Sequence, residues 1–186
     1  SGGRLRLGVG IGWNAVEYEA LNENFHNRGK RLEEQVEVMR ALWSAPLVTY
    51  RGAFHTVTDA GINPLPVQRP IPVWIGGGAV EASLARIARL GDGWFPQVPA
   101  AQGQEAIARM HSLVREAGRD VAAFGVEASV NLSIGGPQEW AAAVELWRAA
   151  GATHLAFTTL NAGLDSLTAH LDALRRFGEV VNVHAG

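Results

Sequence analysis

Three short stretches of this chain combine residue types that bind ligands. The first is GVGIGWN, Gly8 to Asn14, with glycine at every second position from 8 to 12. A Gly-x-Gly at the end of a strand lets a ligand approach the backbone closely, and a strand that packs small residues against a neighbour looks the same. A dinucleotide fingerprint also needs a third glycine, an immediate helix and an acidic residue about 20 positions later on a second strand. Trp13 and Asn14 follow here instead, and the distant position falls inside a helical pattern. The second stretch is Gly76-Gly77-Gly78, between an apolar run and an amphipathic one. Backbone amides at a helix start, reached over glycines, make an anion cradle suited to phosphate, while a tight turn would use the same residues. No Lys-Ser or Lys-Thr follows, so this is not a P-loop. The third is GDGWFPQV, where Asp92 and Trp94 suit a packing role and a ligand contact equally.

Other chemistry finds little support. The histidines His26, His55, His111, His154, His170 and His184 form no metal-ligand spacing, and His111 and His170 read as solvent-facing helix residues. There is no cysteine and no G-x-S-x-G, which excludes disulfides, thiolate centres and a nucleophile elbow. Glu17, Glu19 and Glu23 follow the first glycine loop. Glu17 is near enough to face a ligand, and solvated helix acids are the plainer reading. No catalytic residue is assigned, and no metal is expected.

The elements that must carry these stretches follow from periodicity. RLRLGVGIGW (4–13) reads as a strand running into a loop. The segment 27–45 carries Leu32, Val36, Met39 and Trp43 at helical spacing with charges opposite. VTYRGAFHTV (48–57) reads as a hairpin about Arg51-Gly52, and Pro64, Pro66, Pro70 and Pro72 make the next connection extended. Residues 45–72 thus form a hairpin and proline-rich insertion. Beyond it, strand and helix alternate. PVWIGGG precedes a helix with Val80, Leu84 and Ile87, and DGWFPQV one with Ile107, Met110 and Val114 that ends at Gly118. FGVEASVNLSI precedes a helix from Pro137 to Gly151 with Trp140, Val144 and Trp147 inward. THLAFTTL precedes one capped by Asp165 and Ser166, with a Leu167, Leu171 and Leu174 stripe and Gly178 just beyond its end. Five strands too apolar for a wet face, alternating with five helices, predict an α/β protein with a covered parallel sheet, either doubly wound or part of a (β/α)8 barrel. A full barrel takes about 250 residues and eight units, so this chain would supply the last five.

At 186 residues, 47% hydrophobic and 18% charged, the chain has the composition of one globular domain. A formal charge of -2 argues against a nucleic-acid or basic membrane-binding surface. No apolar run approaches the roughly 20 residues of a membrane helix, so the expectation is a cytoplasmic protein.

SGGRLRLGVGIGWNAVEYEA, RGKRLEEQVEVMRALW, VTYRGAFHTV, NPLPVQRPIPVWIGG and RIARLGDGWFP together resemble the luciferase-like monooxygenase superfamily. Within it they are most similar to the branch of oxidoreductases using the deazaflavin coenzyme F-420, and the similarity covers nearly the whole chain. The resemblance implies a (β/α)8 TIM barrel of the bacterial luciferase-like type, here lacking its first three βα units, with 4–13 as the fourth strand and 153–160 as the eighth. It implies an F-420-dependent oxidoreductase, or an FMN-dependent monooxygenase, acting on a small organic molecule by hydride transfer or oxygen activation. A barrel relative without chemistry, serving as an assembly subunit, is the alternative. The resemblance places Gly76, Gly77 and Gly78 at the cofactor phosphate, and Gly10, Gly12 and Asn14 along its ring or chain. Some deazaflavin relatives carry a glutamate where this chain has Trp13, so that acid is not carried over. Two strand edges, the outer sides of 4–13 and 153–160, would be unpaired. The expected partners are therefore a second copy, as a dimer, or a preceding barrel segment.

Overall fold

Glycine and proline punctuate this sequence where its elements stop. The structure, a computed structural model, describes residues 1–181. Strand β1 (Leu7–Val9) leads to helices α1 (Ala15–Ala20) and α2 (Arg28–Ser44), then to β2 (Val48–Arg51) and β3 (Thr56–Ala60). After the proline-rich stretch come β4 (Val73–Gly77), α3 (Glu81–Leu90), β5 (Gly93–Pro96), α4 (Gly103–Glu116), β6 (Gly125–Asn131), α5 (Pro137–Ala150), β7 (His154–Thr158) and α6 (Leu167–Val180). Five strands form one sheet in the order β1-β4-β5-β6-β7, and β2 and β3 make a separate antiparallel hairpin. Leu7 lies opposite Val73, Gly93 opposite Gly125 and Glu127 opposite His154, each in a parallel pair. Parallel neighbours cannot be joined by a tight turn, so helices carry the chain back between them. The fold is α/β with a parallel sheet.

The chain divides into two compact units: residues 1–76 with 90–92, and residues 77–89 with 93 onward. In the first, Leu32, Val36 and Trp43 of α2 are buried, as are Val48, Ile71 and the Val73–Ile75 run of β4. The start of β4 is clamped by Asp92. Its carboxylate accepts the Val73 N–H at 2.9 Å and the Arg40 guanidinium at 2.9 Å, while its own N–H donates to the Val73 carbonyl at 2.7 Å. In the second unit, Trp94, Ile107, Met110, Val114, Val126 and Val130 are almost wholly buried. Phe157 stacks on Phe177 at 3.9 Å, with Trp140 edge-on to Phe157. Gly103 has no room for a side chain, because a Cβ there would lie 2.6 Å from the Trp147 ring. Pro137 opens α5 and Gly151, at φ 92°, ends it as its position predicts.

Several expectations change. The strand read over 4–13 is ordered as a strand only at Leu7–Val9. Val80 precedes α3 and is exposed; its carbonyl accepts the N–H groups of Ser83 and Leu84, which is the work of a helix start. Leu167, Leu171 and Leu174 are exposed, and Phe177 is the buried residue of α6. Gly178 lies inside that helix, which runs on to Val180. His154 and Leu155 of β7 are exposed, so this strand does have a wet part. The charged face of α2 is not wholly solvated either, because Glu34 is buried.

That glutamate holds the hairpin tip. Its carboxylate accepts the N–H groups of Ala53, Phe54 and His55, and lies 2.9 Å from His55 Nδ1. Burial pushes the Glu34 carboxyl up, but the bonds from Phe54, from the His55 ring and N–H and from Ala53 outweigh it and hold it below the usual 4.5. Tyr50 adds a second tie by donating to Glu37 at 2.9 Å.

Candidate functional site

The first glycine loop is shaped by α1. Asn14 caps that helix, its side-chain oxygen accepting the Val16 N–H at 3.2 Å and its amide donating to Glu17 at 3.2 Å. Gly12 sits at φ 72°, a conformation that favours glycine, and the Tyr18 hydroxyl donates to the Ile11 carbonyl. These contacts fold the loop over a cavity of about 490 Å³, lined among others by Gly10, Gly12, Glu17, Tyr18, Arg28 and Arg31. Its volume is in the range of small-molecule sites. Gly10 and Gly12 therefore share one cavity, while Asn14 is not among its lining residues and serves the helix. Trp13 is 87% exposed.

Gly10 is informative because the fold does not require it. Its backbone is outside the left-handed region, and a Cβ there would meet no atom within 4 Å. The turn at Gly76–Gly78 separates in the same way. The Gly77 carbonyl accepts Trp94 Nε1 at 2.9 Å and the Gln97 N–H at 3.1 Å, and a Cβ on Gly77 would lie 2.5 Å from Ser83 Oγ. Packing therefore explains Gly77. At Gly78 a Cβ would meet only the Gln97 carbonyl, at an ordinary 3.9 Å. Gly76 ends the first compact unit, and Gly77 and Gly78 begin the second.

The charge at the start of α3 is paired. Its first turn contains Glu81, which would repel an anion, but Arg109 of α4 pairs with both carboxylate oxygens. That hydrogen bonding, opposed by desolvation and helped by the charge, holds the Glu81 carboxyl below its usual value. Asp92 and Trp94 resolve to structural roles, Asp92 at the base of β4 and Trp94 at the Gly77 carbonyl. His111 is half-buried, and desolvation with the nearby Arg115 charge pushes its imidazole down. His170 is also half-buried, with Nδ1 2.7 Å from Thr159 Oγ1, so neither histidine is the solvent-facing residue expected. His184 lies outside the described residues. Among the described residues no cluster of His, Asp and Glu could hold a metal, and no helix is long and apolar enough to cross a membrane. Arg28, Tyr18 and Gln35 line the cavity and were missed in the sequence. The Arg28-x-x-Arg31 spacing at a helix start was the available signal.

Comparison with known proteins extends this. The family model described as luciferase-like monooxygenase matches residues 1–179. The chain is 30% identical over 149 residues to an F-420-dependent hydroxymycolic acid dehydrogenase of Mycobacterium tuberculosis, covering 78% of this chain and 41% of that protein. It spans less than half the length of the curated relatives it matches. Among solved structures, monooxygenase RslO1 from Streptomyces bottropensis superimposes with a TM-score of 0.80 at 21% identity, over 98% of this chain and 69% of that one. The coenzyme F-420-dependent tetrahydromethanopterin reductase of Methanopyrus kandleri does so at 0.73 and 14% identity, over 98% and 74%. At such identities these two likenesses speak for the fold alone. The match over residues 1–179, on a parallel α/β framework, shows that the chain belongs to the luciferase-like monooxygenase family.

Proposed function

We propose that this chain is the C-terminal, cofactor-holding part of a (β/α)8 oxidoreductase that uses coenzyme F-420, with FMN as the second candidate. The observation that carries the reading is that two glycines placed directly after strands, Gly10 and Gly78, have no packing reason. Each stands where a bound group would need the space of a side chain, and each follows a strand of the parallel sheet. Open α/β sheets and barrels place their ligands at that end of the strands. F-420 over FMN is favoured by relatives such as the mycobacterial F-420-dependent dehydrogenase.

In this reading the backbone of Gly76, Gly77 and Gly78 and the start of α3 hold the cofactor phosphate, with Arg109 keeping Glu81 occupied. Gly10 and Gly12 admit the ring or its chain, and Asn14 acts by fixing α1. When bound, the cofactor supplies the hydride chemistry for a small organic substrate, and the protein supplies orientation and a site sheltered from water. Tyr18 holds the loop through the Ile11 carbonyl, which keeps Gly10 and Gly12 at the cavity edge.

A second reading, a barrel subunit that serves assembly, is favoured by the exposed Leu155, Leu160, Leu167, Leu171 and Leu174. These residues suit association with a second copy or with a preceding barrel segment. Titration of the chain with F-420 and with FMN, followed by cofactor fluorescence, separates the two readings. Saturable binding, tighter for F-420, is the expected result. No saturable change with either cofactor would sink the oxidoreductase reading.

A further inference from the structure

We infer that the cavity beside the first glycine loop takes the carboxylate of an organic acid, held by Arg28. Four charged side chains line this cavity: Glu17, Glu23, Arg28 and Arg31. Arg31 is paired with Glu23, and Glu17 accepts the Asn14 amide. Arg28 has no carboxylate partner among the described residues. It is fixed all the same, because its guanidinium lies 3.7 Å from the Phe25 ring centroid and Nη1 donates to the Phe25 carbonyl at 2.9 Å. Nε is buried and without a hydrogen-bond partner. Nη1 is thus occupied and Nε is buried, so Nη2 is the guanidinium nitrogen left to donate a charge-assisted bond to a carboxylate in the cavity.

Charge decides the class of anion. One guanidinium lacks a counter-charge, and the Glu17 carboxylate lines the same cavity, so a singly charged carboxylate fits better than a phosphate dianion. Ile11, Leu21 and Leu32 line the cavity too and suit a hydrocarbon body. That the acid is the substrate rests on the proposed placing of the cofactor at Gly10 and Gly12; that the cavity binds an acid does not.

Calorimetry on the full chain without cofactor tests this with hexanoate, hexanamide and hexyl phosphate. Hexanoate binds about tenfold more tightly than hexanamide, as a charge-assisted pair predicts. Arg28→Gln removes that preference, Lys30→Gln retains it, and Glu17→Gln strengthens hexanoate binding a few-fold by removing the opposing charge. Equal binding of hexanoate and hexanamide, or a preference that survives Arg28→Gln, would overturn the inference. So would an equal loss in Lys30→Gln, or tighter binding of hexyl phosphate. Should Arg28→Gln fail to fold, the wild-type comparison and Glu17→Gln decide, and unchanged or weaker hexanoate binding in Glu17→Gln counts against it. F-420 titrated separately keeps the two claims apart: hexanoate binding without F-420 binding overturns the cofactor reading alone, and the reverse overturns this one alone.

Discussion

Residues of one type do different work in this chain, and their surroundings tell them apart. A Cβ on Gly52 would overlap the Glu34 carboxylate, whereas one on Gly10 would meet nothing. The first glycine is there for folding, whereas packing gives no reason for the second. Glu34 makes the residue-scale argument for stability. Its carboxyl titrates below 4.5 when folded, so its contribution is complete above that pH and is lost as pH falls through the lower folded value. Thermal melts from pH 7 down to pH 3 should show this loss, and Glu34→Gln, already less stable at pH 7, should show a flatter dependence below about pH 5. An unchanged slope in Glu34→Gln would refute the role. The sequence did not reveal this residue. Helical periodicity assigned every acid of α2 to solvent, and only the hairpin tip, with its N–H donors at Ala53, Phe54 and His55, makes burial of one carboxylate favourable. The glycines were legible as a pattern, but which of them packing explains depended on how the turns bring back nearby side chains, Ser83 against Gly77 and Tyr18 against Gly12.

At the scale of elements, helices were read where a buried stripe and a cap coincided. In α4 and α5 the periodic residues Ile107, Met110, Val114, Trp140, Val144 and Trp147 are all buried. In α6 the same kind of stripe is exposed, because periodicity shows that a helix has an apolar face and says nothing of what covers it. The short helix α1 was read only through its acids, with no bounds, because its six residues give periodicity little to act on. Close approach of α4 and α5 depends on Gly103 beside Trp147. Gly103→Ala should overpack this contact at a cost of about 1–3 kcal/mol, lowering Tm by roughly 3–10 °C in a chain of this length. Differential scanning calorimetry gives the answer, and an unchanged Tm would mean that the helices part without cost.

For the whole molecule, the βα rhythm and the family resemblance made the parallel α/β architecture legible in advance. Whether the chain associates depends on which surfaces stay uncovered, and periodicity does not show that. Strand β7 pairs with β6 on one side, and Leu171 and Leu174 lie exposed on the helix that follows it. Exposed apolar side chains and an unpaired strand side of this kind favour association. Native mass spectrometry should find species heavier than one chain, and Leu171→Glu with Leu174→Glu should shift the population to a single chain with little change in Tm. A wild-type protein that stays a single chain at high concentration would refute this. The central claim is that glycines at strand ends without a packing reason mark the cofactor cradle, and Gly78→Ala tests it most directly. Its φ suits alanine, so Tm should hold or rise. The dissociation constant for F-420, read by fluorescence titration, should weaken about tenfold or more as the added methyl obstructs charge-assisted bonds to the phosphate. Binding of F-420 as tight as in the wild type would contradict the account.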